Sequence, residues 1–522
     1  EERGAVLDEA PMGGRTRSAR GCNPVEEKLA RALVKVAVSV PIAIDGMPGV
    51  EFAGTGMVVD TERGLVICDR NTAPGTLCDC LLTFGSSCTV PAHCVYVHPL
   101  HNLAVLQYDP RSVEGTQVEA VNLRRSSAHE LRGQRLWLVT SVGSMRRGYK
   151  LVSERGVAID SEATVAPLSN PPRWQETNID LLAFKGGGSI TRSQDGIVAN
   201  GDGEVVAYYA SFLTQTVRNG RLQDGEYFAG ITSDTLEDML LAVRRGEPPA
   251  RYALGAELEK LGLSAARGML MDAATTEEVE AKCEHWPPQV MSVRRRWAGT
   301  GAHEMLRDSD ILLEINGKRI ETFRDVETAV ADAPEAELLV VRGCQKQTLQ
   351  MKTAPLDDAT TDRLLLWAGA VLQAAPAAIA AQRGQELTGV YVSSRFHGSP
   401  AARYSLPAVS RVIEVDGEKV PDLDAFLHAI IAKRDGADVR LKLLDIRGAP
   451  SMVCLRVDNK YWPTAEVRRV AGPRNAGGQE PFHWRRSLVE LNAATGEPEY
   501  RDPLQESAPP SDGHVAESAE KK

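Results

Sequence analysis

The chain has 522 residues, 43% of them hydrophobic and 25% charged, and a formal net charge of −10. Length gives a prior of about three or four domains, the composition is that of an ordinary globular protein, and the acidic balance excludes a general grip on nucleic acid. Nine cysteines without a repeating spacing fit reduced, intracellular thiols better than a disulfide framework.

Residues 1–27 are polar and Gly/Arg-rich with no apolar period, so a disordered lead-in or linker is expected. The chain opens on Glu1 and not Met, which suggests a processed form or a piece of something longer. Over residues 28–247 short apolar runs such as "LVKVAVSVPIAI", "GTGMVVD" and "LAVLQYD" alternate with Gly/Pro/Asp turns, the pattern of an all-β barrel or sandwich. The segment "SDTLEDMLLAVRRG" predicts a closing helix, with Ser233 as its N-cap and Gly246 just past its end.

An internal repeat follows. "ILLEINGKRIETFRDVETAV" (Ile311 to Val330) matches "RVIEVDGEKVPDLDAFLHAI" (Arg411 to Ile430) at an offset of 100 residues. Each copy predicts a strand, an Asn-Gly or Asp-Gly turn, a short strand and an amphipathic helix. Two α/β modules are therefore expected, over 251–356 and 362–460. Leu364 to Ala381 is the stretch nearest to a membrane span. It is alanine-rich, carries Gln373 and Pro376, and is better explained by a buried strand followed by a helix. A C-terminal extension, 461–522, ends in a tail of disordered composition.

Taken together, "GTGMVVD", "GLVICDRNT", "VHPLHNLAVLQYDP", "GSPAARY", "VIEVDGEKVPDLDAF" and "YWPTAEVR" resemble the Deg/HtrA family. These are trypsin-like serine proteases with C-terminal PDZ domains. The likeness is greatest to the second half of the long branch with two protease domains and four PDZ modules. That branch includes a fungal nuclear pro-apoptotic protease and a plant chloroplast protease. The resemblance implies a mainly β chain: a degenerate trypsin-like double β-barrel followed by two PDZ-like modules.

Acyl transfer needs a nucleophile, an imidazole that takes its proton, and a carboxylate that orients the imidazole. Where active members end a strand in Asn-Arg-His, this chain has Asp69-Arg70-Asn71; where they have His-Asp, it has His101-Asn102. Seven residues before Gly203, the nucleophile position falls on Gly196, preceded by Asp195. An amide cannot accept and return a proton near neutral pH. No catalytic residue is therefore assigned, and Asn71, Asn102 and Gly196 are read as degenerate triad positions. A triad rebuilt from Ser189 or Ser193 with His98 or His101 remains the rival reading.

No metal or other cofactor is expected. Cys78, Cys80, Cys88, Cys94, His93, His98 and His101 cluster in sequence, but not in the paired spacing of structural zinc. The resemblance implies peptide capture by β-augmentation, with a loop of backbone N–H groups receiving a C-terminal carboxylate. Its candidates are Ala253, Leu254, Gly255 and Ala256 in one module, facing Val326 and Val330. In the other they are Trp367, Ala368, Gly369 and Ala370, facing Phe426 and Ile430. One or both grooves could instead be filled by the chain itself or by a neighbouring subunit.

The function expected is that of a non-catalytic regulatory half of a Deg/HtrA-type protease, supporting oligomerisation or protein quality control. Its partners would be peptides or protein C-termini, further copies of itself or an active protease half, in the nucleus or chloroplast stroma. The alternatives are an active serine endopeptidase with an unrecognised nucleophile and a free-standing pseudoprotease adaptor.

Overall fold

The computed structural model describes residues 23–45, 50–85, 87–144, 148–160, 169–186, 194–218, 221–245, 251–269, 271–284, 286–356, 361–471 and 482–502. Most of the expected lead-in and the whole of the expected final tail lie outside them. The fold is mainly β.

Residues 24–27, assigned by composition to the lead-in, begin a helix, Pro24–Leu29. Asn23 caps it by accepting from Val25 N, and Val25 and Leu29, four residues apart on one face, are buried. They join an apolar cluster with Tyr208 and Phe212.

Two closed six-stranded antiparallel barrels follow, the arrangement of a trypsin-like double barrel. The first runs, in spatial order, Leu33–Ser39, Glu51–Asp60, Leu65–Cys68, Ala104–Tyr108, Cys88–Val97 and Asp79–Phe84. The second runs Gly196–Ala199, Val205–Arg218, Arg221–Thr232, Leu182–Gly186, Gly148–Asp160 and Arg135–Ser144. Alternation fills each interior: Val34, Val36 and Val38 point into the first with Leu82 and Phe84. Met57, Ile67 and Leu103 pack with Tyr208, Phe212 and Ile231 across the seam.

The closing helix is Ser233–Arg245, laid on the barrels through Leu236, Met239 and Leu240. Ser233 is not its side-chain cap. Its hydroxyl donates to Arg124 O (2.5 Å), and the Asp234 carboxylate accepts from Thr235 N instead (2.9 Å). Gly246 lies outside the described residues.

Both copies of the repeat fold alike. Asn316-Gly317 and Asp416-Gly417 turn with φ of 51° and 70°, and of 51° and 94°, as a two-residue hairpin requires. The helices Phe323–Val330 and Leu423–Ile431 follow, capped by Thr322 and Asp422. The first copy lies in a six-stranded sheet that starts at Ala256–Gly262. The second lies in a ten-stranded sheet that continues through Arg363–Trp367 into Ala465–Ala471, Phe482–Leu491 and Pro498–Arg501. The alanine-rich stretch folds as two strands, Arg363–Trp367 and Ala370–Ala374, and a helix, Ala377–Arg383. Among the described residues no helix is long and apolar enough to cross a membrane.

Candidate functional site

The strand Leu65–Cys68 delivers Asn71 to the seam between the barrels, and the turn after Val97 delivers Asn102 beside it. Asn102 Oδ1 accepts from Arg70 N (2.8 Å) and Asn71 N (3.2 Å). The side-chain nitrogens of Asn71 and Asn102 both donate to one acceptor on the second barrel, Ser211 O, at 2.5 Å. The two positions therefore meet. Each amide aims an N–H at the same carbonyl, and neither offers a basic lone pair to a hydroxyl.

Gly196 is a correction. It is the first residue of the strand Gly196–Ala199, paired opposite Tyr209, and it is buried. A Cβ there would stand 2.5 Å from Val139 O and 3.0 Å from Thr140 Cβ. A residue hemmed in by backbone cannot present a nucleophile to a cleft. Ser189 and Ser193 lie outside the described residues.

Beside the amides sits a pair of buried carboxylates. Asp69 accepts from Thr72 N (2.6 Å) and from Ser211 N and Oγ (both 3.1 Å), while Asp195 accepts from Thr55 N. Burial and the neighbouring Asp69 push the Asp195 carboxyl up to about 6, and the charge of Lys35 opposes this. Arg70, 5% exposed, donates to His98 O (2.8 Å) and lies 4.1 Å over the Trp174 ring. Burial pulls its guanidinium down to about 9. Trp174 in turn donates to Pro99 O (2.7 Å).

In the first module the named residues do converge. Ala253, Leu254, Gly255 and Ala256 line one narrow cavity with Phe323, Val326 and Val330. Gly255 has φ +77°, which favours glycine. The opposite wall belongs to the barrels: Leu100, His101, Thr177 and Asn178. Leu258 N donates to Asn178 Oδ1, and Asn178 Nδ2 donates to Ala256 O, both at 2.8 Å. Two residues on, Asp180 pairs with Lys260 and accepts from Phe323 N (3.0 Å). His101 Nε2 lies 3.1 Å from Glu327 Oε1, and Arg324 holds the other oxygen at 2.6 Å. Against the effect of burial, His101 and Arg324 keep the Glu327 carboxyl well below its ordinary range.

No family model matches the chain. Curated relatives do. The pro-apoptotic serine protease NMA111 of Chaetomium globosum is 28% identical over 90% of this chain and 44% of its own length. Those of Phaeosphaeria nodorum and Yarrowia lipolytica are 30% and 29% identical, over 88% and 84% of this chain and 44% of each relative. The chain belongs to the Deg/HtrA family. It spans less than half the length of the curated relatives it matches. Among solved structures it is similar to the HtrA-type protease AlgW with a tripeptide (15% identity, TM-score 0.41, 64% of this chain and 96% of that one). A serine endoprotease from Yersinia pestis gives 14% identity and a TM-score of 0.36, over 64% of this chain and 97% of that one.

The second loop of this Deg/HtrA chain differs from the first. Trp367 pairs with Ala370, and Ala368 and Gly369 form a two-residue turn with φ of 50° and 74°. The strand Arg363–Trp367 runs along the edge of Ala370–Ala374 where an added peptide would lie. Trp367, 1% exposed, meets the Phe426 ring edge-on at 5.4 Å, and Ile430 packs in the same core. Residues named as an open carboxylate loop are thus a hairpin, because the preceding strand folds back onto them.

The Deg/HtrA chain also brings His98, His101 and Glu327 within metal-ligand reach of one another. Their chemistry does not fit an ion. His98 Nδ1 accepts from Leu100 N (3.1 Å) and His101 N (3.0 Å), so a neutral ring carries its proton on Nε2 and has no free lone pair. Of the cysteines considered, Cys80 and Cys94 are buried in the first barrel's core beside the half-buried Cys78 and Cys88. Sequence reasoning missed Asn178, Asp180 and Glu327. Contacts spanning some 80 residues (178 to 258, 180 to 260) leave no local pattern to find.

Proposed function

We propose that this chain is a non-catalytic, regulatory and scaffolding portion of a Deg/HtrA-type serine protease. It would pair with an active protease half or with further copies of itself. The observation that carries this reading is the use of both triad-position amides as donors to one carbonyl, Ser211 O, with no base between them. The proposed units are the barrel pair over 28–247 and PDZ-like modules over 251–356 and 362–460. The relatives are fungal, which leaves a chloroplast placement without support. The expected result is that the chain neither cleaves casein nor reacts with a fluorophosphonate probe. Labelling that disappears in Ser189→Ala or Ser193→Ala would instead make it an active endopeptidase.

Peptide capture belongs to the first module in this reading, and the second acts as a brace that its own strand completes. Peptides with free apolar C-termini should bind one per chain, and amidation should weaken them at least tenfold. Gly255→Glu should do the same, because it sets a carboxylate and a strained backbone in the loop. Isothermal titration with a thermal melt of the variant checks this. Equal affinity of free and amidated peptides would rule out carboxylate capture.

A further inference from the structure

The first groove is occupied, and the manner of its occupation says what it prefers. An added strand pairs with alternate N–H and C=O groups along a sheet edge. On the edge of Ala256–Gly262 those groups are Ala256 O and Leu258 N, which flank Glu257. The Asn178 side chain meets both, its carbonyl accepting from one and its amide donating to the other at 2.8 Å. A carboxamide carries the same donor and acceptor as a peptide unit, so Asn178 imitates one residue of a bound strand.

The imitation continues two residues later. Asp180 reaches Lys260 with one oxygen and, with the other, Phe323 N at the start of the groove helix. Lys260 also lies 5.3 Å over the Phe323 ring, so its ammonium is fixed at the groove. A cation and a helix N-terminus together favour a carboxylate at that point. The segment is held at its other end as well, since Thr177 N donates to Leu100 O at 3.3 Å.

We infer that Thr177–Asp180 is a built-in ligand of the first groove, and that the outside partner which displaces it is an extended peptide with an acidic side chain at the place of Asp180. This rests on the peptide-capture reading above and adds to it a side-chain preference and a lock. Two hydrogen bonds from one amide make a weaker match than a full strand ladder. The lock acts by effective concentration, because a tethered segment competes as if present at about millimolar levels.

The test uses the whole chain and the octapeptide WQETNIDL, which copies Trp174–Leu181, acetylated and amidated so that no terminal carboxylate takes part. Asn178→Ala/Asp180→Ala should bind it at least tenfold tighter than the native chain does. The same peptide with Asn in place of its Asp should lose at least fivefold. Lys260→Ala in the opened chain should remove that discrimination. Asn178→Asp keeps the side-chain volume while its charge opposes Ala256 O, and it should open the groove likewise; far-ultraviolet circular dichroism verifies that each variant is folded. If the opened chain binds free-carboxylate peptides tightly but is indifferent to the acidic residue, this inference fails and peptide capture stands. If it binds neither kind, both fail.

Discussion

Asn71→His, Asn102→Asp and Gly196→Ser introduced together leave the chain unable to cleave casein and make it less stable than the native chain. The serine is the reason. Its Cβ would stand 2.5 Å from Val139 O, inside a strand bonded on both sides, to Arg135–Ser144 and to Val205–Arg218. Overpacking against backbone costs about 1–3 kcal/mol or more, because neither neighbour can rotate away as a side chain does. Asp195 also remains, buried where a developing oxyanion would feel its charge, and each missing oxyanion donor costs about 3 kcal/mol of barrier. A urea titration should show a lower midpoint for Gly196→Ser alone. Cleavage by the triple variant at a rate near that of an active Deg protease would falsify this.

Asp195→Asn should stabilise the chain at pH 8 and leave it nearly unchanged at pH 3. The folded carboxyl sits near 6 against an ordinary value of 3.8, raised by burial and by Asp69. A carboxyl raised on folding adds stability below its unfolded value and loses that advantage as pH rises through the folded one. The native chain therefore carries a charge penalty above pH 6 that reaches about 3 kcal/mol, from a shift of roughly two units at about 1.4 kcal/mol each. Asparagine removes the charge and still accepts from Thr55 N, but Lys35 loses an attractive partner. The net gain should be about 1–3 kcal/mol at pH 8. Paired urea unfolding curves at the two pH values measure it. A gain that is the same at both would show that charge is not its source.

The parts of the fold legible in sequence are those with a local cause. Asn316-Gly317 and Asp416-Gly417 announce their hairpins, since few other pairs tolerate two positive φ angles. Asn71 and Asn102 were legible because each ends or precedes an apolar strand that fixes its place. Gly196 was not, because a count back from a turn cannot see where a strand begins. The turn at Ala368-Gly369 was hidden for a related reason. Alanine at φ 50° is uncommon, so the sequence offered a loop where the chain makes a tight reversal. Asn178 was hidden more deeply, since a solvated loop asparagine and a strand mimic look alike until the sheet edge arrives beside it.

Arg70 joins these regions. Its backbone N–H donates to Asn102 Oδ1, its guanidinium grips His98 O, and the same guanidinium rests on Trp174, four residues before Asn178. His98 and Trp174 begin the two stretches that end at the groove, one through His101 and the other through Asn178 and Asp180. The triad-position amides and the proposed peptide groove thus share one crosspiece. Thermodynamic reciprocity then applies: whatever factor a molecule lodged beside Asn71 imposes on groove affinity, a groove ligand imposes equally on that molecule.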